Sequence, residues 1–288
     1  YSERVLVQMG SFFARSFEEL FQGVKALPWE RWIGKKDAFP VKGSSLNSKL
    51  SSVPDCQSII KKAIVERLKQ KYHINWFEET ENLYQIQFLI MKDKVSIMID
   101  TSGAGLHKRG YRANSTEAPI KETLAAAMVN LARVRHDANF IDPFCGSGTI
   151  LIEAAMYALN IAPGMQRHFT AENWNNIDKN VWQNEKNRAK ELIIRDASFM
   201  AQGYDIDGAA ISLTMENARK AGVVSKIHAE KRSIEDFKSI GEYGCVICNP
   251  PYGERLLDIR QAEELYRIMG QVFERKHGWN YSIISPDD

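Results

Sequence analysis

The 288-residue chain has only four cysteines, too few at this length to read as a disulfide framework. Cys245 and Cys248 form a lone C-x-x-C, and Val246 and Ile247 between them read as buried strand. No second C-x-x-C and no paired histidines accompany it, so a four-ligand zinc site is not expected and no metal is assigned. The thiols are then reduced and buried, and the compartment they imply is most simply the cytoplasm. No run approaches the length of apolar sequence that a membrane helix needs, so no span is expected. Tyr1-Ser2-Glu3-Arg4 shows no basic segment leading into an apolar one, so no signal peptide is visible. An initiator Met is also missing, and the chain is expected to begin inside a longer protein. Internal repeats and low-complexity tracts are absent.

What remains is a chain with ample material for a core: 44% hydrophobic and 26% charged residues. The net charge is +2 but unevenly spread along the sequence. Residues 1–113 hold 18 Lys and Arg against 12 Asp and Glu, and the rest of the chain holds 20 against 24. A basic segment joined to a slightly acidic one suits a polyanion-binding arm on a catalytic body, although ordinary surface charge gives the same count.

Residues 1–105 read as a mixed α+β domain. Ser52-Val53-Pro54-Asp55 looks like a helix start, and Ile59, Ile60, Ala63, Ile64 and Leu68 continue one apolar face. Lys61, Lys62, Arg67, Lys69 and Lys71 lie opposite, as a solvated face or part of an RNA-facing patch. Leu83 to Met91 and Val95 to Ile99 flank Lys92-Asp93-Lys94 as a hairpin. A Gly-rich basic connector, Thr101 to Arg112, marks the boundary. Residues 106–288 then alternate strand and helix, which predicts an α/β, doubly wound parallel sheet with ligands at the strand carboxyl ends.

Three corners fall at those ends. Asp142-Pro143-Phe144-Cys145-Gly146-Ser147-Gly148-Thr149 follows a strand and opens a helix. A dinucleotide fold would want a third glycine where Leu151 stands, and an acid about 20 residues on. Asp142 would repel a pyrophosphate but can accept from an ammonium, which points to an amino-acid-bearing nucleoside such as S-adenosylmethionine. Asp205, with Ile206 beside it, ends the second strand and can accept from ribose hydroxyls; Asp236, after the third, can accept from an adenine amino group. The bland alternatives are a capped strand–helix turn and solvated loop acids.

Asn249-Pro250-Pro251-Tyr252 is the strongest signal. An exocyclic amino group on a base is a poor nucleophile because its lone pair is delocalised into the ring. The Asn249 side-chain carbonyl, which also borders the cofactor, and the Pro250 backbone carbonyl can hold its hydrogens and localise that pair. The prolines stiffen the backbone, and Tyr252 offers a face for an extruded base.

At these residues the chain resembles a known family: bacterial RNA methylases that join a THUMP domain to a Rossmann-like class I methyltransferase, similar to the 23S rRNA guanine-N2 enzymes. The resemblance rests on Ser52 to Gln57, Asp100 to Arg112, Ala118 to Leu124, Asp142 to Thr149 and Asn249 to Leu256. It implies a THUMP-type RNA-binding module over 1–105, a methyltransferase domain over 106–288, S-adenosylmethionine as cofactor and N2 of an rRNA guanosine as target. Against the family pattern both ends look incomplete: the ferredoxin-like part is a remnant before residue 50, and the seven-stranded sheet is followed only to about its fifth strand, Asn280 to Ser285. Alternatives are a tRNA guanine-N2 enzyme, an adenine-N6 methylase, and a non-catalytic RNA-binding protein with a vestigial cofactor fold. The oligomeric state is not legible.

Overall fold

Ser52 starts a helix as its residue type predicts. Its hydroxyl accepts from the Asp55 N–H at 3.4 Å, Pro54 sits in the first turn, and helix α2 runs Val53–Tyr72. Cys56, Ile60, Ala63, Ile64 and Leu68 form its buried face. With α1 (Phe17–Lys25), capped by Ser16, it covers one face of a four-stranded sheet. The strands are β1 (Leu6–Phe13), β2 (Val41–Leu46), β3 (Gln85–Met91) and β4 (Lys94–Asp100), in the order β1-β4-β3-β2. β2 and β3 are parallel and the other pairs antiparallel. The expected hairpin is β3–β4, and its loop residues Lys92 and Asp93 both have positive φ, 50° and 64°, as a type I′ turn requires.

The chain, seen here as a computed structural model describing residues 1–112, 119–251 and 259–285, divides into two units. One comprises Ser2–Gly105 with His168–Gln183; the other holds Leu106–Arg167 and the chain from Asn184 on, with Tyr1. The sequence boundary at residue 105 therefore misses a return: 168–183 sits inside the second stretch of sequence but packs in the first unit. Trp174 explains why. It is buried, stacks on Tyr84 with ring centroids 4.7 Å apart, meets Trp32 edge-on at 5.8 Å, and donates its indole N–H to Leu83 O at 3.0 Å. Ala171 joins the same core, and its N–H donates to Thr101 O. Nothing in the periodicity of 168–183 announces this, because an isolated aromatic with no partner in the local sequence carries no register.

The return also changes the charge picture. The compact first unit holds 16 Lys and Arg against 14 Asp and Glu, and the second 22 against 22. The expected basic arm shrinks because Lys108, Arg109 and Arg112 belong to the second unit. Within the first unit, Arg67 grips Glu30 with two bonds of 3.0 and 2.7 Å, Lys61 pairs with Glu79 and covers the Phe39 ring, and Lys69 reaches Glu66 at 3.7 Å. The face expected to be solvated or RNA-facing is thus largely neutralised by neighbours. Salt-bridged to Arg67, the Glu30 carboxyl is lowered to about 2.

The second unit is a five-stranded parallel sheet in the order β7-β6-β5-β8-β9. Its strands are β5 (Asn139–Asp142), β6 (Ala201–Asp205), β7 (Ile227–Lys231), β8 (Gly244–Cys248) and β9 (Trp279–Ile283). Its helices are α3 (Glu122–Leu131), α4 (Thr149–Ala158), α6 (Gly208–Ala221) and α7 (Ile259–Val272); α5 (Lys179–Glu191) precedes β6. α4 is buried along almost its whole length, whereas α5 buries no residue. α7 ends at Val272, and Lys276 beyond it turns back to donate to Ser239 O and Gly241 O at 3.1 and 2.8 Å. The order reverses direction at β5, so the ends of β5, β6 and β8 flank the switch point where such sheets bind ligands. Among the described residues no helix is long and apolar enough to cross a membrane.

A fragment ending at residue 105 should therefore fail to fold cooperatively, because it lacks Trp174 and leaves Tyr84 uncovered; removing a buried Trp costs about 3–5 kcal/mol. Joining 168–183 to it through a flexible linker should restore a sharp thermal transition by circular dichroism. A cooperative transition in the unextended fragment would show that the return segment is dispensable.

Candidate cofactor and catalytic site

β5 ends on Asp142, and the chain turns through Pro143 to Gly148 into α4. Gly146 and Gly148 have φ of 51° and 80°, in the region that favours glycine. At Gly148 a Cβ would come within 2.8 Å of Thr214 Cγ2, so space as well as backbone demands glycine there. The turn is pinned to the end of β6 by two bonds: the Cys145 N–H donates to Tyr204 O, and the Gly146 N–H to Asp205 Oδ2, each at 2.9 Å. The other Asp205 oxygen accepts from the Asp207 N–H at 2.9 Å, and Asp207 caps α6 through the Ala209 N–H. Gly148 gives α4 no side-chain cap, and the first turn carries no acid, an arrangement that suits an incoming carboxylate.

Asp142 is almost fully buried. Burial pushes its carboxyl up to about 8; the 3.1 Å bond from the Phe144 N–H opposes this and the nearby Asp205 charge adds to it. A buried carboxyl with one donor fits a site built for a cationic partner. Burial likewise raises the Cys145 and Cys248 thiols, with Asp142 adding to both, and lifts Cys245 to about 12, so none is a reactive thiolate.

On the next strand, Asn249 follows β8, whose last carbonyl, Cys248 O, accepts from the Ile284 N–H at 3.1 Å. The Asn249 side-chain oxygen is buried and has no donor among the described residues. Pro250 is buried and Pro251 half-buried. Tyr252 lies outside the described residues. Ser147 and Thr149 are buried, with hydroxyls 3.3 Å apart.

The expected residues do not all converge. Asp142 to Thr149 and Asp205 form one bonded assembly, with Asn249 at the end of the strand beside β5. Ile206 is 70% exposed, and Asp236 sits exposed on the turn after β7 with no side-chain hydrogen bond among the described residues. Sequence reading missed four polar residues behind the turn, three of them buried and Arg112 partly so. Thr214 and Asn217 of α6 donate to Gly146 O and Ser147 O, while Arg112 pairs with Glu122 and donates to Thr149 and to Ile120 O. Helical spacing could have shown Thr214 and Asn217, which share an inward face with Ala210, Ala218 and Ala221. A cavity of about 1070 Å³ opens elsewhere, beside Arg109, Glu153, Tyr157 and Arg188, and contains none of these motif residues. The strand ends, not the larger space, hold the chemistry-bearing groups.

Residues 109–288 match the family described as RMKL-like, methyltransferase domain, and residues 14–100 match the THUMP domain. The chain belongs to the RMKL-like methyltransferase family. It is 44% identical over 289 residues to the Bacillus subtilis protein named "Putative RNA methyltransferase YpsC", a match spanning all of this chain and 75% of that one. The crystal structure titled "predicted N6-adenine-specific DNA methylase from Listeria monocytogenes" superposes with a TM-score of 0.94 at 46% identity, covering 99% of this chain and 76% of that chain. SMU.472, "a putative methyltransferase complexed with SAH", superposes with 0.90 at 42% identity, covering 97% and 74%. Family and fold make this chain a nucleic-acid methyltransferase that uses S-adenosylmethionine, with a THUMP module of the RNA-binding class.

Asp142 gives a stability signature. Its folded pKa of about 8 exceeds the ordinary 3.8, so the native state holds a proton that the unfolded chain releases. Stability is lost as pH rises from about 4 toward 8. Asp142→Asn should be equal to the parent in stability near about pH 3.5 and more stable by at least about 1 kcal/mol at about pH 8, while binding S-adenosylmethionine more weakly. Urea melts at both pH values check this; equal differences at the two would deny the buried, protonated state.

Proposed function

We propose that this chain transfers a methyl group from S-adenosylmethionine to the exocyclic N2 of a guanosine in RNA, most simply in 23S rRNA. The observation that carries the chemistry is the buried Asn249 oxygen, an acceptor with no donor among the described residues, at the end of the strand beside β5. Such a group costs free energy unless a ligand supplies the donor, and a base amino group is one.

In this reading the glycine turn and the open start of α4 hold the carboxylate of the cofactor's amino-acid end, Asp142 its ammonium, and Asp205 its ribose hydroxyls; Asp236 and Ile206 border the adenine. The bound cofactor supplies a methyl group on a positively charged sulfur. The chain's residues do the rest by position. Asn249 Oδ1 and the Pro250 carbonyl accept the amino hydrogens and localise the nitrogen lone pair, and Pro250 and Pro251 fix those carbonyls against rearrangement. Tyr252 is assigned the stacking face for the extruded base. None of these roles requires a metal. The THUMP match and the name of the Bacillus relative support RNA as the substrate; net charge supports it little, since the first unit carries only a small positive excess.

Guanine N2 rests on the resemblance and not on the motif, and the Listeria title favours a second reading, methylation of adenine N6. Incubating the full-length protein with unmodified rRNA and labelled S-adenosylmethionine, then analysing nucleosides, separates them. N2-methylguanosine is expected; N6-methyladenosine alone would move the assignment, and label entering tRNA only would move the substrate. Asn249→Ala should lower kcat by a factor on the order of 10² while leaving cofactor affinity within about threefold. Equal loss of both would assign Asn249 to cofactor binding.

A further inference from the structure

The motifs that bind or react lie on the loops after β5, β6 and β8, yet the glycine turn is also held from behind, by a helix no motif includes. Thr214 Oγ1 donates to Gly146 O at 2.8 Å, and Asn217 Nδ2 donates to Ser147 O at 3.0 Å. Both side chains are fully buried on the inward face of α6. Two polar groups in that position are costly unless each has a specific task. Asn217 makes the point sharply, because its own Oδ1 has no donor among the described residues. A leucine of similar size would avoid that penalty, so the amide's one bond to Ser147 O is what the position provides.

We propose that Thr214 and Asn217 are positioning residues for the cofactor. By engaging the carbonyls of Gly146 and Ser147, they fix the two central peptide planes of the turn, which the Gly148 N–H closes on Cys145 O at 2.7 Å. Gly148 fits the same device from the other side: a Cβ there would strike Thr214, so the closeness of helix and turn depends on both residues at once. α6 is capped by Asp207, two residues after Asp205, whose carboxylate accepts from the Gly146 N–H. The residues assigned to ribose and to the amino-acid end are therefore tied by one short path, through strand end and helix, and shift together. This inference rests on the reading of the glycine turn as the cofactor's seat.

Calorimetric titration of S-adenosylhomocysteine into the full-length protein tests it, with steady-state kinetics alongside. Thr214→Val keeps the shape and removes the donor; Thr214→Ser restores the donor; Asn217→Ala removes the second donor independently. With the turn no longer held, each donor-less variant should bind about tenfold more weakly, equal to about 1.4 kcal/mol, with KM for RNA unchanged and the serine variant near the parent. A folded Thr214→Val or Asn217→Ala with the parent's affinity overturns the assignment. Loss of fold in both also overturns it, because the residues would then serve the core and not the site. If the parent itself does not bind S-adenosylhomocysteine, the reading of the turn fails before this inference is reached.

Discussion

The bond from the Gly146 N–H to Asp205 holds the second unit's chemistry in one place. It joins the first strand's turn to the second strand's end, and the neighbouring bond from Cys145 to Tyr204 O makes the connection rigid. Both donors are backbone groups of the turn that precedes α4, which must find partners somewhere. Here an acid supplies one, and it keeps lone pairs free for a ligand. With the turn fixed, Asp142 is trapped behind it in a dry environment, α4 begins without a side-chain cap, and the end of β8 sits on the other side of the same strand.

Those features are individually unfavourable for stability. A buried aspartate, an asparagine oxygen with no donor among the described residues and an uncapped helix start each cost free energy in the ligand-free chain. Their concentration at the switch point of one sheet is how a binding site differs from a packing error. Thr214, Asn217 and the Arg112–Glu122 pair supply the support that keeps the turn in shape despite these costs.

Much of this was legible in the sequence. The alternation of strands and helices gave the parallel sheet, because apolar runs of strand length bounded by turns have few other uses. The three corners were visible because each places, at the carboxyl end of a strand where such sheets bind ligands, a group with a chemical use: paired glycines, an acid, or Asn-Pro-Pro. Two things were hidden for physical reasons. Trp174 enters the first unit's core from 168–183, a long-range contact that local periodicity cannot encode. Thr214 and Asn217 share helical spacing with Ala210, Ala218 and Ala221, but a stripe of such small residues marks an inward face only weakly. The charge argument failed for a related reason: counting along the chain assigned the connector's arginines to the wrong unit, and ion pairs such as Arg67–Glu30 cancel charges that the count treats as free.

The central claim is that glycine turn, Asp205 and Asn249 form one site. A crystal structure of the protein soaked with S-adenosylhomocysteine tests it most directly. The account predicts the ligand's amino-acid end at Gly146–Gly148, its ribose on Asp205 and its sulfur toward Asn249. Ligand density in the cavity beside Arg109 and Glu153, with the glycine turn empty, would contradict it.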